Sequence, residues 1–337
     1  MEPSIPFFCA ITGATATGKT ELALALAERM ECDVVAVDAM QVYEGLDIGT
    51  AKPTPAQRER VRHHGLDLVS PLETFNAHHY CQAVEPVLEE AWRRKTPLIL
   101  CGGTGLYFRA LLEGFFEAPD ADPALRQELK ERCRAEGCEA LYAELAAQDP
   151  ETAASIHPHD ARRILRALEI MKQTGETVSV LKKRQIQKPW GQVTRFIGLR
   201  RESEDLAERI NLRTKRMYRE GLVEETEHMI RMGCTLEHTA LQGLGYRQCY
   251  GYLTGQTSLE EAEERTIHAT RQYARRQKTW FRHQFPTDWL DISATKDFME
   301  YLNKSLQVWL KHGNNSKIDG KCRHAGEKGF IPGVTDY

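Results

Sequence analysis

The segment GATATGKT, residues 13–20, constrains the fold more than any other stretch of the chain. Its form is G-x-x-x-x-G-K-T, a phosphate-binding loop, and such a loop works only between a strand and a helix. Both neighbours are legible. Phe7–Thr12 (FFCAIT) reads as a short buried strand that ends at the loop, and Thr20–Arg29 (TELALALAER) has helical periodicity. Gly13, Ala14, Thr15, Ala16, Thr17 and Gly18 then turn backbone N–H groups toward an anion, and the helix N-terminus adds its dipole. Lys19 is placed to reach the outer phosphate and Thr20 to put its hydroxyl on Mg²⁺.

Further apolar runs continue the pattern. Val34–Val37 (VVAV) ends at Asp38, Leu98–Cys101 (LILC) ends at Gly102-Gly103-Thr104, and Asn76–Arg94 between them reads as a helix. Apolar runs alternating with helices predict an α/β fold, a P-loop parallel sheet flanked by helices. Ligands of such sheets bind at the carboxyl ends of the strands, so the loop, Asp38 and Thr104 are expected to converge. Residues 123–185 are rich in Ala, Glu, Arg and Leu without a strand run and predict an inserted helical domain. Phe196–Leu199 returns to the sheet; Glu204–Met232, Ser258–Arg282 and Asp297–Leu310 read as helices. The expected division is 1–120 and 191–290 for the core, 121–190 for the insertion, and 291–337 for a C-terminal helix with a polar, flexible tail.

Composition narrows the class. With 45 Lys+Arg against 48 Asp+Glu the net charge is −3, so a nucleic-acid partner must be argued from local patches. The nine cysteines are scattered without C-x-x-C, and Cys133 and Cys138 are the nearest pair; reduced thiols are expected. His63-His64 and His78-His79 are adjacent in sequence and point apart on a strand or helix, which argues against a metal role. No apolar run approaches the ~20 residues that span a bilayer, and the start carries no basic segment; a soluble cytoplasmic monomer without membrane contact is expected.

At the strand ends, Asp38 can serve as a metal ligand, a general base or a helix cap, and spacing alone leaves these open. Thr104 can donate a hydroxyl to phosphate, although Gly-Gly-Thr-Gly is also an ordinary flexible turn. The helix 258–282 is more telling. Ser258 with Glu261 forms a capping box, and the first turns are acidic. At 100° per residue, Arg271, Arg275, Lys278 and Arg282 form one stripe, opposite Leu259, Ala262, Ala269, Tyr273 and Trp280. No acid interleaves that stripe, so it presents fixed positive charge suited to a phosphate backbone. Arg209, Arg213 and Arg216 form a second stripe, and Arg162, Arg163 and Arg166 a third after a possible N-cap at Asp160.

Taken together, the chain resembles the MiaA-type tRNA dimethylallyltransferases over about residues 8–285, through GATATGKT, DAMQVYEGLDIGTAKP (38–53), HHGLDL (63–68), GGTGLY (102–107), DARRILRALE (160–169), RINLRTKRM (209–217), GLGYRQ (243–248) and ATRQYARRQKTWFR (269–282). The resemblance implies transfer of a dimethylallyl group from dimethylallyl diphosphate to N6 of adenosine 37, in the anticodon loop of tRNAs reading U-initial codons. It implies Asp38 as general base, with Lys19, Thr20, Thr104 and Arg213 on the diphosphate and Mg²⁺ as cofactor. It implies tRNA contacts from Asp38, Ala39, Met40 and Gln41, from Thr104 and Arg126, and from Arg162, Arg163, Ile164, Leu165 and Arg166. Two more implied segments are Gln242, Gly243, Leu244, Gly245, Tyr246 and Arg247, and Arg275, Arg276, Gln277, Lys278, Thr279, Trp280, Phe281 and Arg282. Ala39 stands where the family usually has Ser, and Thr17 where it usually has Ser. A relative that prenylates free adenine nucleotides, a P-loop kinase or ATPase, and a non-enzymatic RNA binder with a degenerate loop are the competing readings.

Overall fold

Six parallel strands, in the order β3-β2-β4-β1-β5-β6, form the sheet of the computed structural model. The structure describes residues 8–116, 118–119, 122–185, 187–192, 194–293 and 298–311. The polar tail expected beyond residue 313 lies outside them. By packing, the chain divides into one unit of Met1–Leu112 with Pro189–Lys317 and a second that includes Glu113–Lys188.

In the first unit the order is β1 (Phe8–Gly13), α1 (Lys19–Met30), β2 (Asp33–Val37), α2 (Pro55–Arg60), β3 (His63–His64), α3 (Ala77–Arg94), β4 (Leu98–Gly102) and α4 (Gly105–Glu113). β1 lies between β4 and β5 and is buried along its whole length, which is why it reads as a continuous apolar run. The chain leaves β1 for β2 on one side and leaves β4 for β5 on the other. With right-handed crossovers this puts α1 and α4 on opposite faces, and a crevice opens between the ends of β1 and β4. Leu22, Leu24 and Leu26 of α1 pack on Cys9, Ile11 and Ile99 on one face. On the other, Phe108 of α4 packs against Phe196 and Phe281, and Tyr80 stacks on Tyr107 with ring centroids 4.4 Å apart. Each such side chain contributes roughly 1.5–3 kcal/mol by leaving water.

The second unit holds α5 (Pro123–Glu136), α6 (Cys138–Gln148), α7 (Pro150–Ala154), α8 (Ala161–Thr174) and α9 (Val178–Lys183) around their own core, with Leu129, Leu141, Leu145, Ile164 and Leu168 at its centre. Asp160 caps α8 by accepting from the Arg163 N–H at 3.2 Å. The expectation of reduced thiols fails at one place. Cys133 and Cys138 are joined as a disulfide, because the positive-φ turn at Gly137 brings their Cα atoms to 4.7 Å.

The first unit resumes with β5 (Arg195–Arg200), α10 (Ser203–Glu220), α11 (Leu222–Arg231), α12 (Tyr246–Leu253), α13 (Leu259–Gln284), β6 (Thr287–Asp291) and α14 (Phe298–Lys311). The single helix expected over 204–232 is two. Gly221 adopts φ 113°, a left-handed conformation that ends α10 and opens α11. The capping box at Ser258 forms as expected, with bonds of 3.2 and 3.1 Å. His63 and His64 form β3, where His63 Nδ1 bonds the Val61 carbonyl and His64 Nε2 meets Asp33, both at 2.7 Å.

Candidate active site

The phosphate loop is held from two sides. Lys19 donates from Nζ to the carbonyls of Gly13 (3.0 Å) and Ala14 (2.7 Å), and the Thr17 hydroxyl donates to Ala14 at 2.8 Å. Gly18 takes φ 97° at the start of α1, which only glycine adopts without strain. From α10, Arg209 donates to the Ala16 carbonyl (3.0 Å) and Arg213 to the Thr15 hydroxyl (3.3 Å). The arginine stripe of α10 is therefore divided: Arg209 and Arg213 serve the loop, while Arg216 is exposed and pairs with Glu220.

From α13, Gln277 joins the two crevice loops. Its Oε1 accepts from the Thr15 N–H at 2.8 Å, and its Nε2 donates to the Gly103 carbonyl at 2.9 Å. A Cβ at Gly103 would stand 2.2 Å from Gln277 Nε2, and one at Gly105 would stand 2.3 Å from the Trp280 ring. A Cβ at Gly102 would lie 2.0 Å from the Val37 carbonyl oxygen. The Gly-Gly-Thr-Gly turn is thus glycine because α13 and β2 press on it, not because it is loose. It sets Thr104, whose Oγ1 accepts from the Ala39 N–H at 3.0 Å.

Asp38 sits at the end of β2. Its Oδ1 accepts from the N–H groups of Met40 (2.8 Å) and Gln41 (3.3 Å), while Oδ2 has no hydrogen-bond partner among the described residues. Burial raises its pKa; the two N–H donors, Lys19 and Arg213 only partly offset that. Burial also pushes Lys19 down to about 8, with Arg213 adding repulsion. Lys19 and Arg213 form no direct ion pair among the described residues and feel Asp38 and Glu21 only at longer range, so an incoming diphosphate would add the close counter-charge they lack. Cys101, pushed up to about 12 by burial, lines the same place. One strand-end cluster therefore combines a cradle for a leaving anion, a carboxylate with an open oxygen, and a hydroxyl. That is equipment for group transfer from a phosphorylated donor.

Residues 38–41 and 242–247 touch one another: a Cβ on Gly243 would meet the Met40 methyl carbon at 2.5 Å. In these segments Gln242 and Arg247 are exposed, Ala39, Met40, Gln41 and Leu244 are partly exposed, and Gly243, Gly245 and Tyr246 are buried. On α13, Arg275, Lys278, Thr279 and Arg282 face solvent, Arg276 lies against the Tyr273 ring, and Gln277, Trp280 and Phe281 are inside. Leu259, expected on the packed face, is exposed. In the helical unit Arg126 and Arg162 are exposed and Ile164 is core. Leu165 is partly buried, and Arg163 meets Asp160 at 3.4 Å. Arg166 and Arg126 both pair with the buried Glu169, at 3.1 and 3.2 Å.

For Mg²⁺ the donor set is lean. Thr20 offers a hydroxyl in the first turn of α1 and Asp38 an open carboxylate oxygen, and no cluster of three His, Cys, Asp or Glu is present among the described residues. That suits a hard cation which keeps waters and takes most of its ligands from a diphosphate.

Fold and cluster define the class: an α/β protein with a six-stranded parallel sheet and a helical insertion, in which the G-x-x-x-x-G-K-T loop, Asp38 and Thr104 gather at the strand ends. The family model described as IPP transferase matches residues 41–284, and the chain belongs to that family. It is 41% identical to tRNA dimethylallyltransferase 2 of Geotalea uraniireducens over 83% of this chain and 91% of that one. It is 43% identical to the tRNA dimethylallyltransferase of Geobacter sulfurreducens over 85% and 92%. Among solved structures it is similar to the full-length tRNA isopentenylpyrophosphate transferase of Bacillus halodurans (TM-score 0.67, 36% identity, covering 91% of this chain and 97% of that one). A eukaryotic dimethylallyltransferase captured acting on tRNA gives a TM-score of 0.76 at 26% identity, covering 89% and 77%.

Proposed function

We propose that this chain transfers the dimethylallyl group of dimethylallyl diphosphate to N6 of adenosine 37 in tRNAs reading U-initial codons. N6 attacks C1 of the donor, the C1–O bond to diphosphate breaks, and the N6 proton passes to Asp38 Oδ2. The observation that carries this reading is the pairing at Asp38: one oxygen fixed by Met40 and Gln41, the other open beside Lys19 and Arg213. An exocyclic adenine amine is a poor nucleophile, so base assistance worth ~10²–10⁴-fold suits the reaction. The raised carboxyl pKa makes Asp38 a better proton acceptor than an exposed carboxylate.

Lys19, Arg213 and N–H groups of the loop 13–18 other than that of Thr15, which Gln277 Oε1 already accepts, stabilise charge on the leaving diphosphate, and Thr104 donates from its hydroxyl. Mg²⁺, when bound, would neutralise diphosphate charge, with the Thr20 hydroxyl to hold it. Adenine 37 leaves the anticodon-loop stack to reach the strand ends, at a cost of a few kcal/mol. Arg275, Lys278 and Arg282 on α13, and Arg126, Arg162 and Arg166 on the helical unit, take RNA phosphates.

Asp38→Ala and Asp38→Asn test the reading. Both are expected to abolish transfer, measured as label passing from donor to tRNA, while tRNA affinity by filter binding stays within a few-fold of the parent. Near-normal transfer by either variant removes the general-base role.

A further inference from the structure

Glu225, near the start of α11, belongs to none of the segments assigned above to the donor or to tRNA. Its carboxylate accepts three successive backbone N–H groups, from Asp47 (2.9 Å) and Ile48 (2.9 Å) on Oε2 and from Gly49 (3.1 Å) on Oε1. The Tyr246 hydroxyl donates to the same Oε1 at 2.6 Å. Four donors on one partly buried carboxylate is a dense arrangement, and it ties the 47–49 turn to α11. The Tyr246 ring lies on Gly49, where a Cβ would meet Tyr246 Cζ at 2.5 Å.

The turn leads directly to Asp38. The Gln41 side-chain amide donates to the carbonyls of Thr50 (3.1 Å) and Ala51 (3.4 Å), and the Gln41 backbone N–H is one of the two donors that hold Asp38 Oδ1. The other donor, Met40, rests against Gly243, three residues before Tyr246. We propose that Glu225 is a positioning residue for the transfer: by clamping the 47–49 turn and Tyr246 together it fixes the Gln41 side chain and hence the orientation of the Asp38 carboxylate. The proposal rests on Asp38 being the base. It assigns the first residues of α11 a part in catalysis without contact to either substrate.

The test uses the full-length enzyme with dimethylallyl diphosphate and unmodified tRNA. Glu225→Ala is expected to lower kcat about tenfold or more, since displacement of a reacting group by ~1 Å can cost 10²-fold, with KM for the donor unchanged because the phosphate loop is held by α10 and α13. Glu225→Gln keeps an acceptor for two of the amides and is expected to restore most of the activity. A second readout is the split between kcat and affinity: a positioning loss lowers kcat while the donor KM and the tRNA affinity stay within about twofold of the parent. A folded Glu225→Ala enzyme, judged by its thermal melt, with kcat within twofold of the parent overturns the proposal. So does a fall in kcat matched by a loss of donor or tRNA affinity, or one that Glu225→Gln does not rescue, which marks a merely structural role. Absence of prenyl transfer by the unsubstituted enzyme indicts the proposed reaction instead, and is read separately.

Discussion

Replacing Gln277 with leucine keeps the volume of a buried side chain and deletes two hydrogen bonds, at 2.8 Å to the Thr15 N–H and 2.9 Å to the Gly103 carbonyl. Those bonds are the polar link between the loop after β1 and the loop after β4, and Gln277 is only 6% exposed. Each is worth about 0.5–1.5 kcal/mol net, so the pair amounts to about 1–3 kcal/mol. If the loops must be brought back into register before the diphosphate is gripped, that energy is drawn from donor binding. At 1.4 kcal/mol per tenfold, KM for dimethylallyl diphosphate at saturating tRNA is expected to rise by about 5- to 150-fold. Affinity for tRNA alone, by filter binding, is expected to change less than threefold or so on the same scale, because the side chain faces the crevice rather than the outer surface of α13. An unchanged donor KM together with weakened tRNA binding would falsify this assignment and make Gln277 an RNA contact.

Further outcomes follow from the same geometry. Because burial holds Lys19 near about 8, kcat/KM for the donor is expected to fall as pH rises above about 8, while kcat, reporting the complex in which diphosphate stabilises the ammonium, declines later. A kcat/KM profile flat to about pH 10, the ordinary lysine range, contradicts this. Gly105→Ala places a methyl 2.3 Å from the Trp280 ring and is expected to destabilise the enzyme by about 1–3 kcal/mol in urea melts; a change under ~0.5 kcal/mol means α13 yields readily. Reversing charge at Arg275 and Lys278 is expected to weaken tRNA binding and flatten its dependence on salt by about one unit of slope per lost contact. An unchanged slope rejects phosphate contact by that face.

The residues at the strand ends were easier to read in the sequence than the scaffold that holds them. GATATGKT, Asp38 and Thr104 are visible because strand ends in a parallel sheet must carry the ligand, and apolar runs mark the strands. The strand order is not visible, since pairing partners are far apart in the chain. β3 escaped because His63–His64 is a two-residue strand of polar residues. β6 escaped because TDWLD, at the sheet edge, is only partly buried and carries two acids. The α10–α11 break hid in a strong helical pattern, although Gly221 was its signal. Gln277 lies by angle on the buried side of α13, between Ala274 and Trp280; a polar residue on an apolar face was the available clue, and its place within a basic motif obscured it. Glu225 left no such trace. A carboxylate that accepts backbone amides from residues 176 to 178 positions away is a product of the fold alone.

The central claim is prenyl transfer to tRNA, and one incubation meets it directly: the enzyme with Mg²⁺ and dimethylallyl diphosphate labelled in the prenyl group, offered unmodified tRNA or AMP in separate reactions. The account predicts label in tRNA alone, recovered on digestion as N6-dimethylallyladenosine from position 37. Label in AMP, or hydrolysis of ATP with no label transferred to tRNA, contradicts it.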